Sequence, residues 1–95
     1  MLVNVRVTIT DAQISLDRRT MPRGAAGRFF VRNTGTRAHD FTLAGNHVLL
    51  YPVKVKPKTQ KILLVYFDYR GALSYRSSLP YDRSKPGMKG TFTVV

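Results

Sequence analysis

The stretch RFFVRNTGTRAHDFTLAG, residues 28–45, decides the fold. Phe29 and Val31 alternate with Arg28, Phe30 and Arg32; Asn33-Thr34-Gly35-Thr36 has the composition of a turn; then His39, Phe41 and Leu43 alternate with Asp40 and Thr42. A period of two places successive side chains on opposite faces of an extended chain. Asn and Gly between the two runs supply the backbone freedom a reversal needs. The reading is strand, turn, strand.

The same grammar runs outward in both directions. Val3, Val5, Val7 and Ile9 alternate with Asn4, Arg6, Thr8 and Thr10, the signature of a half-buried strand, and Met21-Pro22-Arg23-Gly24 reads as a reverse turn. Downstream, Ala44-Gly45-Asn46-His47 turns before Val48-Leu49-Leu50, residues 54–58 carry Pro57 among charges, and residues 61–67 form a β-branched and aromatic run. Residues 68–71 turn again, residues 73–75 extend, and residues 91–95 close the chain. No apolar 3.6-residue period persists, so no helix is expected. Seven to eight short strands at this spacing predict an all-β antiparallel sandwich or small barrel. At 95 residues the chain is expected to form a single domain, residues 1–95.

Composition narrows the functions. Sixteen Lys and Arg stand against five acids, all Asp, for a net charge of +11. Such a surface favours anionic partners, whether acidic protein, nucleic acid or anionic lipid. There is no cysteine, which removes disulfides, zinc-thiolate sites and thiol nucleophiles. The longest apolar run, residues 62–67, is far too short to span a bilayer. Residues 1–4 lack the basic-then-apolar pattern of a secretory signal, as would a mature chain whose signal had been removed. Catalytic readings fail early: His39 and His47 are the two imidazoles, Glu is missing, and no glycine-rich phosphate loop precedes a helix. Ser77, His39 and Asp82 can be drawn as a hydrolytic triad, but no nucleophile-elbow motif surrounds this serine, so the chain is not read as an enzyme.

A second stretch, YRSSLPYDRSKPGMKG at residues 75–90, adds chemistry to the pattern. Together with residues 29–45 it resembles the cupredoxins, the small blue copper proteins, and in particular their secreted bacterial single-domain members. The resemblance covers most of the chain and implies a Greek-key β-sandwich. It places His39 at the family's first copper histidine and Met88, in Gly87-Met88-Lys89-Gly90, at the axial methionine. Ser77 stands where the family carries its cysteine and Asp82 where it carries its second histidine, with the span from Asp82 to Met88 one residue longer than the family loop. Copper binding and electron transfer are the ancestral activities the resemblance implies, and a periplasmic or secreted location goes with them.

Those substitutions argue against a blue site, which depends on a short thiolate bond within a two-histidine, one-cysteine trigon. A serine hydroxyl is neutral and hard, and the remaining His39, Asp82, Met88 set mixes hard and soft donors. Copper binding is therefore expected to be weak at best. Each residue also has a plain structural reading: His39 caps a strand, Met88 plugs the end of the core, Asp82 pairs with Arg83 and Lys85, and His47 sits in a solvated turn. The sequence is thus read as a cupredoxin-like module that has lost type 1 copper and binds an acidic protein or other anionic surface, with no specific nucleic acid expected. The alternative is a basic β-barrel for single-stranded nucleic acid, with Phe29, Phe30, Tyr66, Phe67 and Tyr69 as stacking candidates. Burial separates the two, because a stacking platform needs several of these rings exposed on one basic face.

Overall fold

The computed structural model describes residues 1–45 and 53–95, and the backbone of 48–49. His47, with Asn46 of its turn and Leu50 of the short run that follows, lies outside the described residues. The strands are β1 (Leu2–Ile9), β2 (Ile14–Leu16), β3 (Thr20–Met21), β4 (Ala26–Asn33), β5 (His39–Gly45), β6 (Val48–Leu49), β7 (Val53–Val55), β8 (Gln60–Tyr66), β9 (Gly71–Arg76) and β10 (Lys89–Val94). A 3₁₀ turn, Pro86–Met88, precedes β10. Among the described residues no helix is long and apolar enough to cross a membrane.

The strands form two sheets. One has the order β2-β1-β4-β8; the other runs β3-β10-β9-β5-β6, with β7 pairing β5 outside that path. The chain is an all-β sandwich whose connections cross between sheets. Among the described residues ten strand segments replace the seven or eight expected, because β2, β3, β6 and β7 are only two or three residues long. Pairing is antiparallel except at β1–β4, in register from Leu2↔Ala26 to Ile9↔Asn33, and at β3–β10.

Alternation decides what is buried. Val3, Val5, Val7 and Ile9 of β1 point inward, and Phe29 and Val31 of β4 lie beside them with no exposed surface. Across the interior the Phe29 ring meets Phe41 at 5.8 Å, Phe67 at 6.1 Å and Phe92 at 5.7 Å between centroids. Tilted and edge-on packing at these distances suits the ring quadrupoles. Gly27 is what allows the cluster to close, since a Cβ there would lie 2.9 Å from both Phe29 and Phe67. Truncating Phe29 to Ala would cost about 3–5 kcal/mol by the usual scale for buried aromatics.

One buried polar residue fixes the turn that leads to β5. Asn33, fully buried, donates from Nδ2 to the carbonyls of Arg37 (2.7 Å) and Val55 (2.9 Å), and its Oδ1 accepts from the Gly35 amide (2.8 Å). All of its side-chain donors and acceptors are used, so it ties β4, the 33–37 turn and β7 together without a desolvation penalty. That turn delivers His39 to the end of the sandwich.

Candidate functional site

Four residues singled out in the sequence come from three places. His39 opens β5, Ser77 follows β9 directly, Asp82 lies in the loop after β9, and Met88 ends the 3₁₀ turn. All are buried: His39 and Asp82 expose nothing, Met88 exposes 1% and Ser77 2%. The loop is held by backbone bonds, among them Ser77 N to Met88 O (3.0 Å), Asp82 N to Leu79 O (2.9 Å) and Met88 N to Lys85 O (3.1 Å). Gly87 lets this loop rest on the strand β1–β2 connection, because a Cβ there would sit 2.7 Å from the Ala12 carbonyl oxygen.

At the centre is an imidazole between two carboxylates. His39 Nδ1 lies 2.6 Å from Asp82 Oδ2, and Nε2 lies 2.8 Å from Asp11 Oδ1. An ionised carboxylate only accepts, so both contacts are hydrogen bonds when both ring nitrogens carry hydrogens, that is, when the ring is an imidazolium. The Ser77 hydroxyl donates to the same Asp82 Oδ2 at 2.6 Å. Lys85 Nζ stands 3.6 Å from Asp82 Oδ1 and donates to the Asp11 main-chain carbonyl at 2.6 Å. With an imidazolium, two cations balance two carboxylates in one connected network.

Asp11 was not legible as a site residue, yet it completes the cluster. It accepts from the Thr36 amide and hydroxyl, the latter at 2.7 Å, and from the Arg37 amide at 3.2 Å. The Thr36 hydroxyl first, then the hydrogen bond from His39, hold its carboxyl well below the usual carboxylate range. Gly35 is required for this approach, since a Cβ there would fall 2.3 Å from Asp11 Oδ1. Tyr81 closes the outside: its hydroxyl donates to the Ala38 carbonyl, its ring meets the His39 imidazole edge-on at 5.9 Å, and the Arg37 guanidinium lies over it at 5.0 Å. Desolvation, followed by the nearby charge of Asp82, raises the Tyr81 phenol above its ordinary value.

The expected local ion pair of Asp82 is corrected in detail. Lys85 contributes, but Arg83 turns away and donates from Nε to the Ser78 carbonyl at 2.9 Å. The stronger partners are His39 and Ser77, because the loop folds inward and Asp82 is shielded from solvent. Among the described residues Asp82 Oδ1 accepts no hydrogen bond, and the more distant Lys85 charge faces it. The second buried acid, Asp40, is satisfied separately by the Ser78 amide at 2.7 Å, the Ser78 hydroxyl and Thr42.

Two chemistries can be tested against this geometry. Ser77, Asp82 and His39 do meet, but in the order serine, aspartate, histidine; the imidazole does not touch the hydroxyl, as base-assisted serine attack requires. Copper does not fit the residues as they stand. Both ring nitrogens of His39 are engaged by carboxylate oxygens, the Ser77 hydroxyl is committed to Asp82, and no thiolate exists in the chain. Among the described residues no group of three or more His, Cys, Asp or Glu is arranged to hold a metal ion. The stacking candidates also divide: Phe29 and Phe67 are core residues, Phe30 is half-buried, and Tyr66 and Tyr69 are exposed.

No protein-family model and no curated protein matches the sequence. Solved structures do match. The copper protein rusticyanin superposes with a TM-score of 0.79 at 14% identity, covering 99% of this chain and 78% of that one. Auracyanin from Roseiflexus castenholzii gives 0.72 at 13% identity, covering 99% and 96%. The periplasmic domain of cytochrome oxidase subunit II (CoxB) of Bradyrhizobium japonicum gives 0.76 at 13% identity, covering 98% and 83%. In a heme-copper terminal oxidase and a multicopper oxidase the chain spans only 63% and 42% of the matched chains. At such identities the likeness is one of architecture, and it agrees with the sheet order and the strand pattern: the chain has a cupredoxin-like fold.

Proposed function

We propose that this chain is a copper-free, non-enzymatic binding module of cupredoxin descent that recognises an acidic partner. His39, Ser77, Asp82 and Met88 stand at the positions of a lost type 1 copper site, and an Asp11–His39–Asp82 network with Lys85 beside it takes the place of the metal. A periplasmic or secreted location accompanies this reading, in line with the periplasmic oxidase domain among the structural neighbours.

The observation that carries the partner is where the carboxylates went. Of the five acids, Asp40 and Asp82 are buried and Asp11 is turned into the His39 network, which leaves Asp17 and Asp68 as the exposed ones. The Lys and Arg side chains are exposed, apart from the partly covered Arg28 and Lys85. The surface is therefore more cationic than the net charge of +11 conveys, and a field of that sign steers anionic partners. Copper titration of the metal-free protein by calorimetry tests the site. Binding no tighter than about micromolar is expected from a chain with one committed imidazole. Binding at about nanomolar strength that His39→Ala abolishes would overturn the lost-site reading.

A further inference from the structure

Sandwich strands that face water on one side usually carry polar residues there. β8 does not. Ile62, Leu64 and Tyr66 point away from the core and are 60%, 50% and 67% exposed. Their register partners on β4 are Phe30, Arg28 and Ala26, so the apolar stripe continues inward through the half-buried Phe30. β8 is also the last strand of its sheet. Three large apolar side chains in consecutive outward positions on an edge strand form a patch of the kind that marks an interaction site.

The border of the patch is mainly cationic. Arg28 lies over the Phe30 ring at 5.3 Å, Arg6 sits opposite Phe30 on β1, and Arg32 follows on β4. The acid at this border, Asp17, is engaged by the Arg6 main-chain amide at 2.8 Å. A second copy would set these arginines against their own counterparts, which opposes self-pairing. Among the described residues, the outward rings carried by β1, β4 and β8 themselves are Phe30, already covered by Arg28, and Tyr66, which gives nucleic acid little to stack on.

We infer that the outer face of β1, β4 and β8 docks a protein surface that presents carboxylates around an apolar centre. This rests on the acidic-partner reading and assigns it to one face. The probes are poly-glutamate, a random glutamate–tyrosine copolymer and an oligo-dT strand, each labelled and titrated with the full chain at low and physiological salt. The copolymer is expected to bind about tenfold tighter than poly-glutamate, the worth of one partly buried aromatic side chain. The surface variant Ile62→Ser/Leu64→Ser/Tyr66→Ser should remove that preference and leave poly-glutamate affinity within about twofold. Arg28→Gln/Arg32→Gln should weaken both polymers more than Arg76→Gln/Lys89→Gln, a pair on β9 and β10 of the other sheet, does. If neither polymer binds at low salt, the acidic-partner reading itself falls. If both bind but the serine variant keeps the preference, the charge reading stands and this face is wrong. Tighter binding of oligo-dT than of the copolymer, or a dimer in sedimentation that the serine variant abolishes, would overturn the proposed occupant.

Discussion

Replacing Asp82 by Asn keeps the shape of the side chain and removes its charge, which makes it the sharpest probe of the network. In the parent chain Oδ2 receives two short contacts, from Ser77 Oγ and His39 Nδ1, both at 2.6 Å, in a site with no solvent exposure. Each such bond to a charged acceptor contributes about 1.5–3 kcal/mol, against about 0.5–1.5 kcal/mol for a neutral one. The Asn variant thus loses about 1 kcal/mol at each contact, and the amide NH₂ now faces the Lys85 ammonium where Oδ1 stood. Removing one partner of a buried pair costs about 3–5 kcal/mol, so a loss of about 3 kcal/mol is expected once the conserved hydrogen-bond geometry is credited. Urea unfolding followed by circular dichroism reads this as a fall of about 2 M in the midpoint, for a slope of about 1.5 kcal/mol per M. Asp17→Asn, at an exposed acid, should cost less than about 1 kcal/mol. A cycle with His39→Gln should give a coupling of at least about 1.5 kcal/mol. A loss under about 1 kcal/mol for Asp82→Asn, or additive single variants, would refute the buried ion-pair network.

Ser77→Cys with Asp82→His should produce thiolate-to-copper absorption in the visible range, lost again in His39→Ala; a folded double variant that stays colourless with copper rejects the positional correspondence. Gly35→Ala places a Cβ on the Asp11 carboxylate, so it should lower the melting temperature by about 5 °C and shift the Thr36 and Arg37 amide resonances, whereas unchanged amides would show that Asp11 does not need the glycine. Because the Asp11 carboxyl is held below its unfolded value, its contribution is complete above about pH 4 and is lost as pH falls further. The stability gap between the parent and Asp11→Asn should therefore be widest above that pH and close on acidification; a gap that widens in acid contradicts the assignment.

The strand pattern was legible where burial is one-sided. Val3 to Ile9 alternates because β1 has one face on the core and one in solvent, and the same holds for Phe29 and Val31 of β4. β2 and β3 escaped notice because two or three residues hold no period. The parallel ladder of β1 with β4 escaped for another reason: alternation says which face is inward and is silent about the neighbour. In β5, residues 39–43 are all buried, because Asp40 and Thr42 on the outer side are covered by the loop carrying Ser78. The site was half legible. The 75–90 stretch with His39 picked out residues that meet in space, but Asp11 lies 28 positions before His39 in a polar connection with no motif around it. Its one signal was the glycine at position 35, which makes room for it.

The parallel pairing of β3 with β10 bears on how the molecule assembles. Thr20↔Thr93 and Met21↔Val94 join nearly opposite ends of the sequence, so this ladder forms only after most of the chain has been looped back. Local hairpins such as β9–β10 can close early, whereas β3–β10 must wait for a distant partner and belongs to the late part of folding. Substitutions at Met21 should then speed unfolding while leaving the refolding rate nearly unchanged, so that losing this two-residue strand shortens the life of the native state more than it slows its formation; an equal slowing of refolding in stopped-flow measurements would contradict the late closure.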